Sequence, residues 1–191
     1  MNGTRELETG RLRLRRYRME DAGLLHQYFG IDEKMYEYSG WNPYATPEQA
    51  RETVQRFIDS YADPHFYGWA IEREGRMIGT IGAYDHDPEK NQIEVGFSIE
   101  RASWCKGYAA EALRAVLEYL TGQEGIAHVT AWCASDNVAS KRTLEKAGMR
   151  LLGIEAGGLE VDGQWYDKLD YAYSNVDGTL RQKGHDCSAA G

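Results

Sequence analysis

The stretch from Ile93 to Leu120, IEVGFSIERASWCKGYAAEALRAVLEYL, is the most informative segment of this chain. Its first seven residues predict a strand, and a polar turn with Gly107 and small residues follows. From Tyr108 onward, apolar side chains recur at the spacing of an amphipathic helix. The first N–H groups of a helix have no partner inside it, so this order of elements predicts an anion-binding helix N-terminus that suits a pyrophosphate. A strand–turn–helix connection that binds nothing has the same local pattern, and the segment alone leaves that alternative open.

A second segment, NVASKRTLEKAGMR from Asn137 to Arg150, predicts another helix further along the chain. Asn137 is a favoured N-cap residue, and Gly148 is a favoured C-terminal stop. Ser140 lies about one helical turn after Asn137, so the two side chains are expected on a similar face. A simple capping role and a contact with a ligand are both compatible with Asn137 in this position.

Together, the two segments resemble the acyl-coenzyme A site of the GNAT superfamily of acetyltransferases, and within it the RimJ/RimL-like branch. The turn motif of the superfamily, Gln/Arg-x-x-Gly-x-Gly/Ala, falls on residues 104–109. Gly107 and Ala109 match, Trp104 takes the Gln/Arg place, and Cys105 stands where a Gly is frequent. The helix motif of the branch, Asn-x-x-Ser-x-x-x-x-Glu-Lys-x-Gly-Phe, is matched at Asn137, Ser140, Glu145, Lys146 and Gly148, with Met149 in place of Phe.

The order of predicted elements, strands that meander first and then alternate with helices, indicates a mixed α/β sheet with helices on both faces. The resemblance extends over residues 11–173. It implies the GNAT fold, in which the central mixed β-sheet is splayed between two strands. We therefore expect one GNAT acetyltransferase domain over residues 1–174, a size that suits a single core. The Gly-, Ser- and Ala-rich segment 175–191 is expected to be a disordered C-terminal tail.

The resemblance also implies that acetyl-coenzyme A is the co-substrate. Backbone groups at Phe97, Ser98 and Ile99 would hold the acetyl carbonyl and the pantetheine amides. Asn137 would contact the coenzyme, and Ser140 would lie beside its sulfur. The turn residues implied to hold the pyrophosphate through their N–H groups are Cys105, Lys106, Gly107, Tyr108, Ala109 and Ala110. A Cβ atom at the central glycine of this turn would push the phosphates away, which is the physical reason for a glycine there.

The implied reaction is direct transfer of the acetyl group to an amine, for which a general base must take a proton from the ammonium. Glu94 is the first candidate for this base, because it fits a Glu-x-x-Phe pattern of several GNAT members and because apolar strand neighbours would raise its pKa. An exposed strand glutamate without a catalytic role, a base role for ordered water, and a base within Asp85–Asp87 remain alternatives. Ser140 is the candidate donor to the leaving sulfur. Cys105 has no activating partner in the sequence, so a covalent intermediate is not expected.

The acceptor is expected to enter between the first helices and the closing strands, where Tyr38, Trp41 and Trp165 would contact it. Aromatic rings with nearby carboxylates can enclose a cation, although the same residues also suit ordinary packing. We expect the acceptor to be the N-terminal amine of a protein or peptide. A small-molecule amine, such as a polyamine or an antibiotic, and a non-catalytic acyl-coenzyme A sensor are the alternatives. The presence of the candidate catalytic residues disfavours the sensor.

The amino-acid composition indicates which classes of partner and which cellular compartment the protein favours. A net charge of −8 argues against a general nucleic-acid-binding protein and mildly favours cationic partners. Three cysteines without a CxxC spacing predict a reducing, cytoplasmic location, and no apolar run is long enough to predict a membrane span. Five histidines without an HxxxH spacing give no reason to expect a metal site. Exposed strands of a small sheet can pair between two copies, so a homodimer is compatible with the sequence, although no residue specifies it.

Overall fold

The computed structural model describes residues 1–174, and the tail predicted at 175–191 lies outside the described residues. The strands are β1 (Leu7–Glu8), β2 (Arg13–Arg15), β3 (Tyr67–Arg73), β4 (Arg76–Asp87), β5 (Gln92–Ile99), β6 (His128–Ala134), β7 (Arg150–Val161) and β8 (Gln164–Tyr173). The α-helices are α1 (Asp21–Leu25), α2 (Pro47–Ser60), α3 (Tyr108–Gly122) and α4 (Val138–Ala147). None of these helices, over the 174 residues concerned, is both long enough and apolar enough to cross a membrane.

The eight strands form one mixed sheet in the order β1-β2-β3-β4-β5-β6-β8-β7. Neighbouring strands are antiparallel except β5 and β6, which are parallel. β5 and β6 pair only from Gln92 to Glu94, opposite His128 to Thr130. Beyond these positions, and among the described residues, 95–99 pair with β4 alone and 131–134 with β8 alone. The sheet therefore opens into a wedge between β5 and β6, which confirms the predicted splayed α/β fold.

Helices cover both faces of the sheet, and each face has its own core. On one face, α3 packs against β5, with Leu113 buried beside Ile93 and Val95. On the other face, α1 and α2 cover the strands around Ala70, and Leu25 is fully buried there. Each such aliphatic side chain contributes about 1.5–3 kcal/mol when it is removed from water. Because side chains alternate along a strand, Glu94, which lies between Ile93 and Val95, points to the face covered by α1 and α2.

A capping box begins α2, as the sequence Thr46-Pro47-Glu48-Gln49 predicts. The hydroxyl of Thr46 accepts the N–H of Gln49, and the side-chain oxygen of Gln49 accepts the N–H of Thr46, both at 3.2 Å. Pro47 occupies the first helical position, where a missing N–H has no cost. The helix ends at Ser60, one residue before Tyr61, where the sequence predicts its end. These local bonds fix where the chain leaves the preceding loop and enters the helix.

The loop before α2 is held close to the end of the first helical segment. The spacing of Ala22, Leu25 and Phe29 predicts one helix over 19–29, but α1 ends at Leu25 and a π-helical turn continues to Gly30. A Cβ atom on Gly30 would lie 1.8 Å from the carbonyl oxygen of Tyr44, so only glycine permits this approach. The side-chain amide of Asn42 donates to the carbonyl of Gly30 at 2.8 Å. Tertiary packing, which the helical period does not contain, therefore interrupts the predicted helix.

A buried ion network ties α1 to the sheet. The guanidinium of Arg15, on β2, donates to both oxygens of Asp21 at 2.8 Å and to Glu72, on β3, at 2.5 Å. All three side chains are nearly inaccessible to water. Burial of a charge is tolerated when it is paired in this way, and loss of one partner leaves an uncompensated buried charge. The network therefore fixes α1 on the face toward which Glu94 points.

Strand β4 is longer than the sequence predicts. A loop is expected at Asp85–Asp87, but β4 continues through these residues and pairs Asp87 with Gln92. Asp85 has a φ of 55°, and the pairing register shifts between Tyr84 and Asp87. This irregularity is a local bulge, which lets the strand continue despite the polar sequence.

Candidate functional site

The turn between β5 and α3 presents free backbone donors. Cys105 and Gly107 have left-handed backbone conformations, with φ values of 60° and 80°. The first intrahelical hydrogen bond runs from the N–H of Glu111 to the carbonyl of Gly107 at 3.1 Å. Within residues 1–174, no side chain caps this helix. The N–H groups of residues 108–110 are therefore available to an anion, and the positive end of the helix dipole adds to the attraction.

The space in front of Gly107 is open. A Cβ atom built on Gly107 would meet, among the described residues, a terminal nitrogen of Arg11 at 3.6 Å and no closer atom. The ammonium of Lys106 donates to a carbonyl of the same turn at 2.8 Å. Trp104 donates its indole N–H to the carbonyl of Ile99 at 2.6 Å. The residue that departs from the superfamily motif thus ties the end of β5 to the turn.

Arg11 supports this turn through contacts that the sequence does not reveal. Its guanidinium donates to Glu111 at 2.7 Å and to the carbonyl of Lys106 at 3.1 Å. It also lies over the ring of Tyr108, 4.7 Å from the centroid. The alternation of residues 11–16 predicts only a solvated arginine face, and the partner glutamate lies 100 residues further along the chain. Arg11 therefore fixes the turn and the first turn of α3 together.

The three strand residues predicted to hold the acyl arm lie on the stretch of β5 beside the wedge. Phe97, Ser98 and Ile99 pair with Ile81, Thr80 and Gly79 of β4. In an antiparallel ladder, every second residue directs its N–H and C=O away from the partner strand. Alternate residues of this stretch therefore direct backbone groups into the wedge.

The second predicted segment forms α4 with its cap. The side-chain oxygen of Asn137 accepts the N–H of Ser140 at 3.0 Å, which confirms the predicted N-cap. Gly148 ends the helix with a φ of 97°. Ser140 is half-buried, and its hydroxyl has no hydrogen-bond partner among residues 1–174. That hydroxyl is therefore free to donate to a bound molecule.

Glu94 is held at the edge of the wedge by neighbours from both adjacent strands. The indole N–H of Trp132, on β6, donates to Oε1 of Glu94 at 2.9 Å. Tyr84, on β4, is paired directly opposite. Burial raises the pKa of Glu94 above its usual value, although the hydrogen bond from Trp132 and the nearby hydroxyl of Tyr84 act in the opposite direction. Sequence reasoning missed both neighbours, because strand alternation indicates a face but not which side chains adjoin it.

The segment Asp85–Asp87, the alternative candidate for the base, has surroundings that differ from those of Glu94. The ammonium of Lys90 lies 2.9 Å from a carboxylate oxygen of Asp87, and this pairing, with nearby backbone N–H groups, lowers the pKa of the partly exposed Asp87 carboxyl. His86 stacks on His65 with ring centroids 6.4 Å apart. A carboxylate with a lowered pKa is a weaker proton acceptor, so the electrostatics favour Glu94 over Asp87 as a base. Within the described part of the chain, no three His, Cys, Asp or Glu side chains are grouped to hold a metal ion.

The structure brings the predicted acceptor loop against the closing hairpin. The ring of Tyr38 meets the edge of Tyr166, with centroids 5.6 Å apart. Trp41 and Trp165 are 67% and 64% exposed, so neither is a core residue. Trp132 pairs with Asp170 of β8, and Tyr166 shares that residue's face of the strand, whereas Trp165 points to the opposite face. Tyr166, and not the predicted Trp165, therefore lies on the face of the sheet that carries Glu94.

The chain was compared with known protein families, and the comparison identifies the family to which this site belongs. Residues 11–150 match the family described as the acetyltransferase (GNAT) domain. The chain belongs to the GNAT acetyltransferase family. The match includes the β5–α3 turn, the wedge and α4, and it confirms the resemblance inferred from the two sequence segments. This GNAT enzyme is accordingly an N-acetyltransferase.

Relatives and solved structures extend the likeness over nearly the whole domain. The enzyme is 32% identical over 168 residues to the uncharacterized N-acetyltransferase YoaA of Bacillus subtilis (strain 168), covering 87% of this chain and 94% of YoaA. A GNAT-family acetyltransferase from Bacillus anthracis matches with a TM-score of 0.79 and 24% identity, over 89% of this chain and 98% of that one. The coenzyme A complex of RimL, a ribosomal L7/L12 alpha-N-protein acetyltransferase, gives a TM-score of 0.79 at 20% identity, over 89% and 98% of the two chains. These two structures share the fold of this enzyme.

Proposed function

We propose that this GNAT enzyme transfers the acetyl group of acetyl-coenzyme A directly to an amine, with Glu94 as the general base. The observation that carries the proposal is the half-buried Glu94 beside the wedge, with a pKa raised by burial. An ammonium has no lone pair with which to attack a thioester. A carboxylate with a raised pKa accepts the proton more readily than an ordinary surface carboxylate does.

The coenzyme would lie between the turn and the wedge. The free N–H groups of residues 108–110 and the open space at Gly107 suit the diphosphate. The backbone of Phe97–Ile99 would bind the arm through amide hydrogen bonds, as in adding a strand. Asn137 would donate its side-chain N–H₂ to the arm, because its oxygen already caps α4. Acetyl-coenzyme A supplies the acyl group as an activated thioester.

The support that Arg11 gives to the turn leads to a prediction. We expect Arg11→Met to raise the dissociation constant of acetyl-coenzyme A about 10-fold, because the turn loses contacts that preorganise its N–H groups. Calorimetric titration measures this constant. Arg13→Met is the matched control, since Arg13 pairs with Glu6 at the surface, away from the turn. Equal affinities in the two variants would show that Arg11 does not order the site.

In the proposed transfer, Glu94 takes a proton from the acceptor ammonium, and the neutral amine attacks the thioester carbonyl. Backbone N–H groups that face the wedge stabilise the negative charge on the carbonyl oxygen of the tetrahedral intermediate. The C–S bond then breaks, and the thiolate leaves with its electron pair. The free hydroxyl of Ser140 donates a hydrogen bond or a proton to that sulfur, whose conjugate thiol has a pKa of about 8.5.

Removal of the Ser140 hydroxyl gives a direct test of this role. We expect Ser140→Ala to lower kcat about 10- to 100-fold, as for the loss of one catalytic donor. Thr143→Ala is a matched control on the same helix, because the hydroxyl of Thr143 already donates to the carbonyl of Ala139 at 2.9 Å. Steady-state kinetics of both variants provide the measurement. An unchanged kcat in Ser140→Ala would remove Ser140 from the mechanism.

For the acceptor, we infer the N-terminal amine of a protein or peptide. The acceptor side is formed by the loop at Tyr38–Trp41 and the β7–β8 hairpin, and the high exposure of Trp41 and Trp165 there suits an extended chain that continues into solvent. RimL, a neighbour in fold, is by its description a ribosomal-protein acetyltransferase. In this proposal Tyr38 and Trp41 contact the peptide, and Trp165 contacts it from the rim of the hairpin.

A small cationic amine is the second candidate, because carboxylates surround the acceptor loop. Burial, and then the charges of Glu37 and Asp136, raise the pKa of Tyr38, so two carboxylates lie near enough to this ring to favour a cationic group beside it. Release of free thiol, followed with a thiol-reactive dye, distinguishes the candidates. Release only with peptide N-termini supports the first candidate, and release with polyamines or aminoglycosides supports the second. Coenzyme binding without release for any amine would overturn both and leave a sensor.

A further inference from the structure

Three side chains from three adjacent strands meet on the face of the sheet that carries the candidate base. Glu94 is paired with Tyr84 of β4 on one side and with Thr130 of β6 on the other. Trp132 lies two residues beyond Thr130 and therefore points to the same face. Its indole N–H donates to Oε1 of Glu94 at 2.9 Å. The base is thus flanked by a hydrogen-bond donor on each neighbouring strand.

Gly96 makes room for the tyrosine. A Cβ atom on Gly96 would lie 2.8 Å from the hydroxyl oxygen of Tyr84 and 3.3 Å from its ring. A side chain at this position would have to displace the tyrosine hydroxyl, so the glycine leaves room for the ring where it lies. The hydroxyl of Tyr84 therefore lies over Gly96 of β5, on the face of the sheet that carries Glu94.

We propose that Trp132 and Tyr84 are positioning residues that hold the carboxylate of Glu94 so that Oε2 is presented to the acceptor amine. The inference rests on the proposed function, in which Glu94 is the base. Glutamate has three side-chain torsions, and a half-buried carboxylate without fixed partners would sample several orientations. The indole N–H binds Oε1 of Glu94, and the side chain of Tyr84 limits movement of the carboxylate toward the wedge. The oxygen that the indole does not engage is then the one that accepts the proton.

The same donors set the proton affinity of the base. Trp132 donates to the ionised carboxylate, and the nearby hydroxyl of Tyr84 also favours the ionised form, so removal of either one raises the pKa of Glu94. The hydroxyl of Tyr84 stays protonated at neutral pH, because burial and the charge of Glu94 raise its own pKa. The charged groups that face Glu94 are Asp85 on β4 and Lys168 on β8, and Lys168 pairs with Asp170 at 2.9 Å. These groups remain in every variant below, so their effect on the pKa cancels in the comparison.

The test is the pH dependence of kcat and kcat/KM in Trp132→Phe and Tyr84→Phe. We expect the acid limb to move to higher pH by about one unit and kcat to fall about 10-fold in each variant, while the KM for acetyl-coenzyme A is unchanged. Tyr61→Phe is the matched control. It removes a hydroxyl from the same face of the sheet, but that hydroxyl donates to the carbonyl of Gly68 at 2.9 Å. We expect Tyr61→Phe to keep the acid limb of the wild-type pH profile.

Two outcomes separate this inference from the proposed function. If Glu94→Gln removes the Glu94 part of the acid limb while both phenylalanine variants keep that limb at the wild-type pH, the positioning role is overturned and the base assignment stands. If Glu94→Gln itself keeps the limb, the base assignment fails. Tyr84→Phe removes one oxygen atom from a side chain that is 45% exposed, so it carries the test even if Trp132→Phe does not fold.

Discussion

Glu94→Gln is expected to lower kcat about 1,000-fold, within the range for loss of a general base. The amide has nearly the shape of the carboxylate but cannot take a proton at neutral pH. In the wild-type enzyme the rate falls as the pH drops through the pKa of Glu94, which burial raises above its usual value. In the variant this part of the acid limb disappears, and only the titration of the acceptor amine remains.

The pH dependence of kcat at saturating substrates measures this difference, because kcat reports groups in the bound complex. Glu118→Gln is the control, since Glu118 lies exposed on α3, on the other face of the sheet. Retention of the full acid limb in Glu94→Gln, with loss of the rate alone, would assign the titrating group elsewhere. The Asp85–Asp87 strand end or an ordered water would then be the next candidate.

Gly107→Val is expected to raise the dissociation constant of acetyl-coenzyme A about 100-fold. The φ of 80° at Gly107 is strained for any L-residue and most of all for a β-branched one. If the turn relaxes, the free N–H groups of α3 no longer converge; if it does not, the new methyl groups occupy the open space in front of them. Either result removes one or two hydrogen bonds to a charged group, each of about 1.5–3 kcal/mol, which corresponds to about 100-fold in affinity.

Calorimetric titration with acetyl-coenzyme A measures the effect, and thermal unfolding confirms that the variant is folded. Gly122→Ala is the matched control on the same helix, because a Cβ atom there has no neighbour within 4 Å among the described residues. We expect this control to bind normally and to be as stable as the wild type or slightly more stable. Wild-type affinity in a folded Gly107→Val would exclude the turn as the diphosphate site.

Some features follow from residues close together in sequence. Thr46 and Gln49 form the capping box as predicted, and Asn137 caps α4 through the N–H of Ser140. The turn around Gly107 has the left-handed backbone and the free helix N-terminus that its residue pattern predicts. Such features are predictable because each depends on bonds within about one turn of chain, whose geometry the residue types restrict directly.

Other features of the candidate site depend on contacts between distant segments. Arg11 meets Glu111 across 100 residues, and Trp132 meets Glu94 across 38. The sequence predicts that Arg11 has a solvated face and that Glu94 faces away from Ile93, but it does not name the neighbour on either face. Likewise, the exposed Trp165 is predicted at the acceptor side, while the contact with Tyr38 is made by Tyr166.

The amino-acid sequence alone is sufficient for the α/β class, the GNAT membership and the left-handed turn before α3, since these rest on periodicity and short motifs. The residues that surround Glu94 could be identified only in the folded structure. Strand order and register set which side chains adjoin a carboxylate, and burial by those neighbours sets its pKa. Neither quantity is encoded in any single segment, because both arise when β4, β5 and β6 are placed side by side.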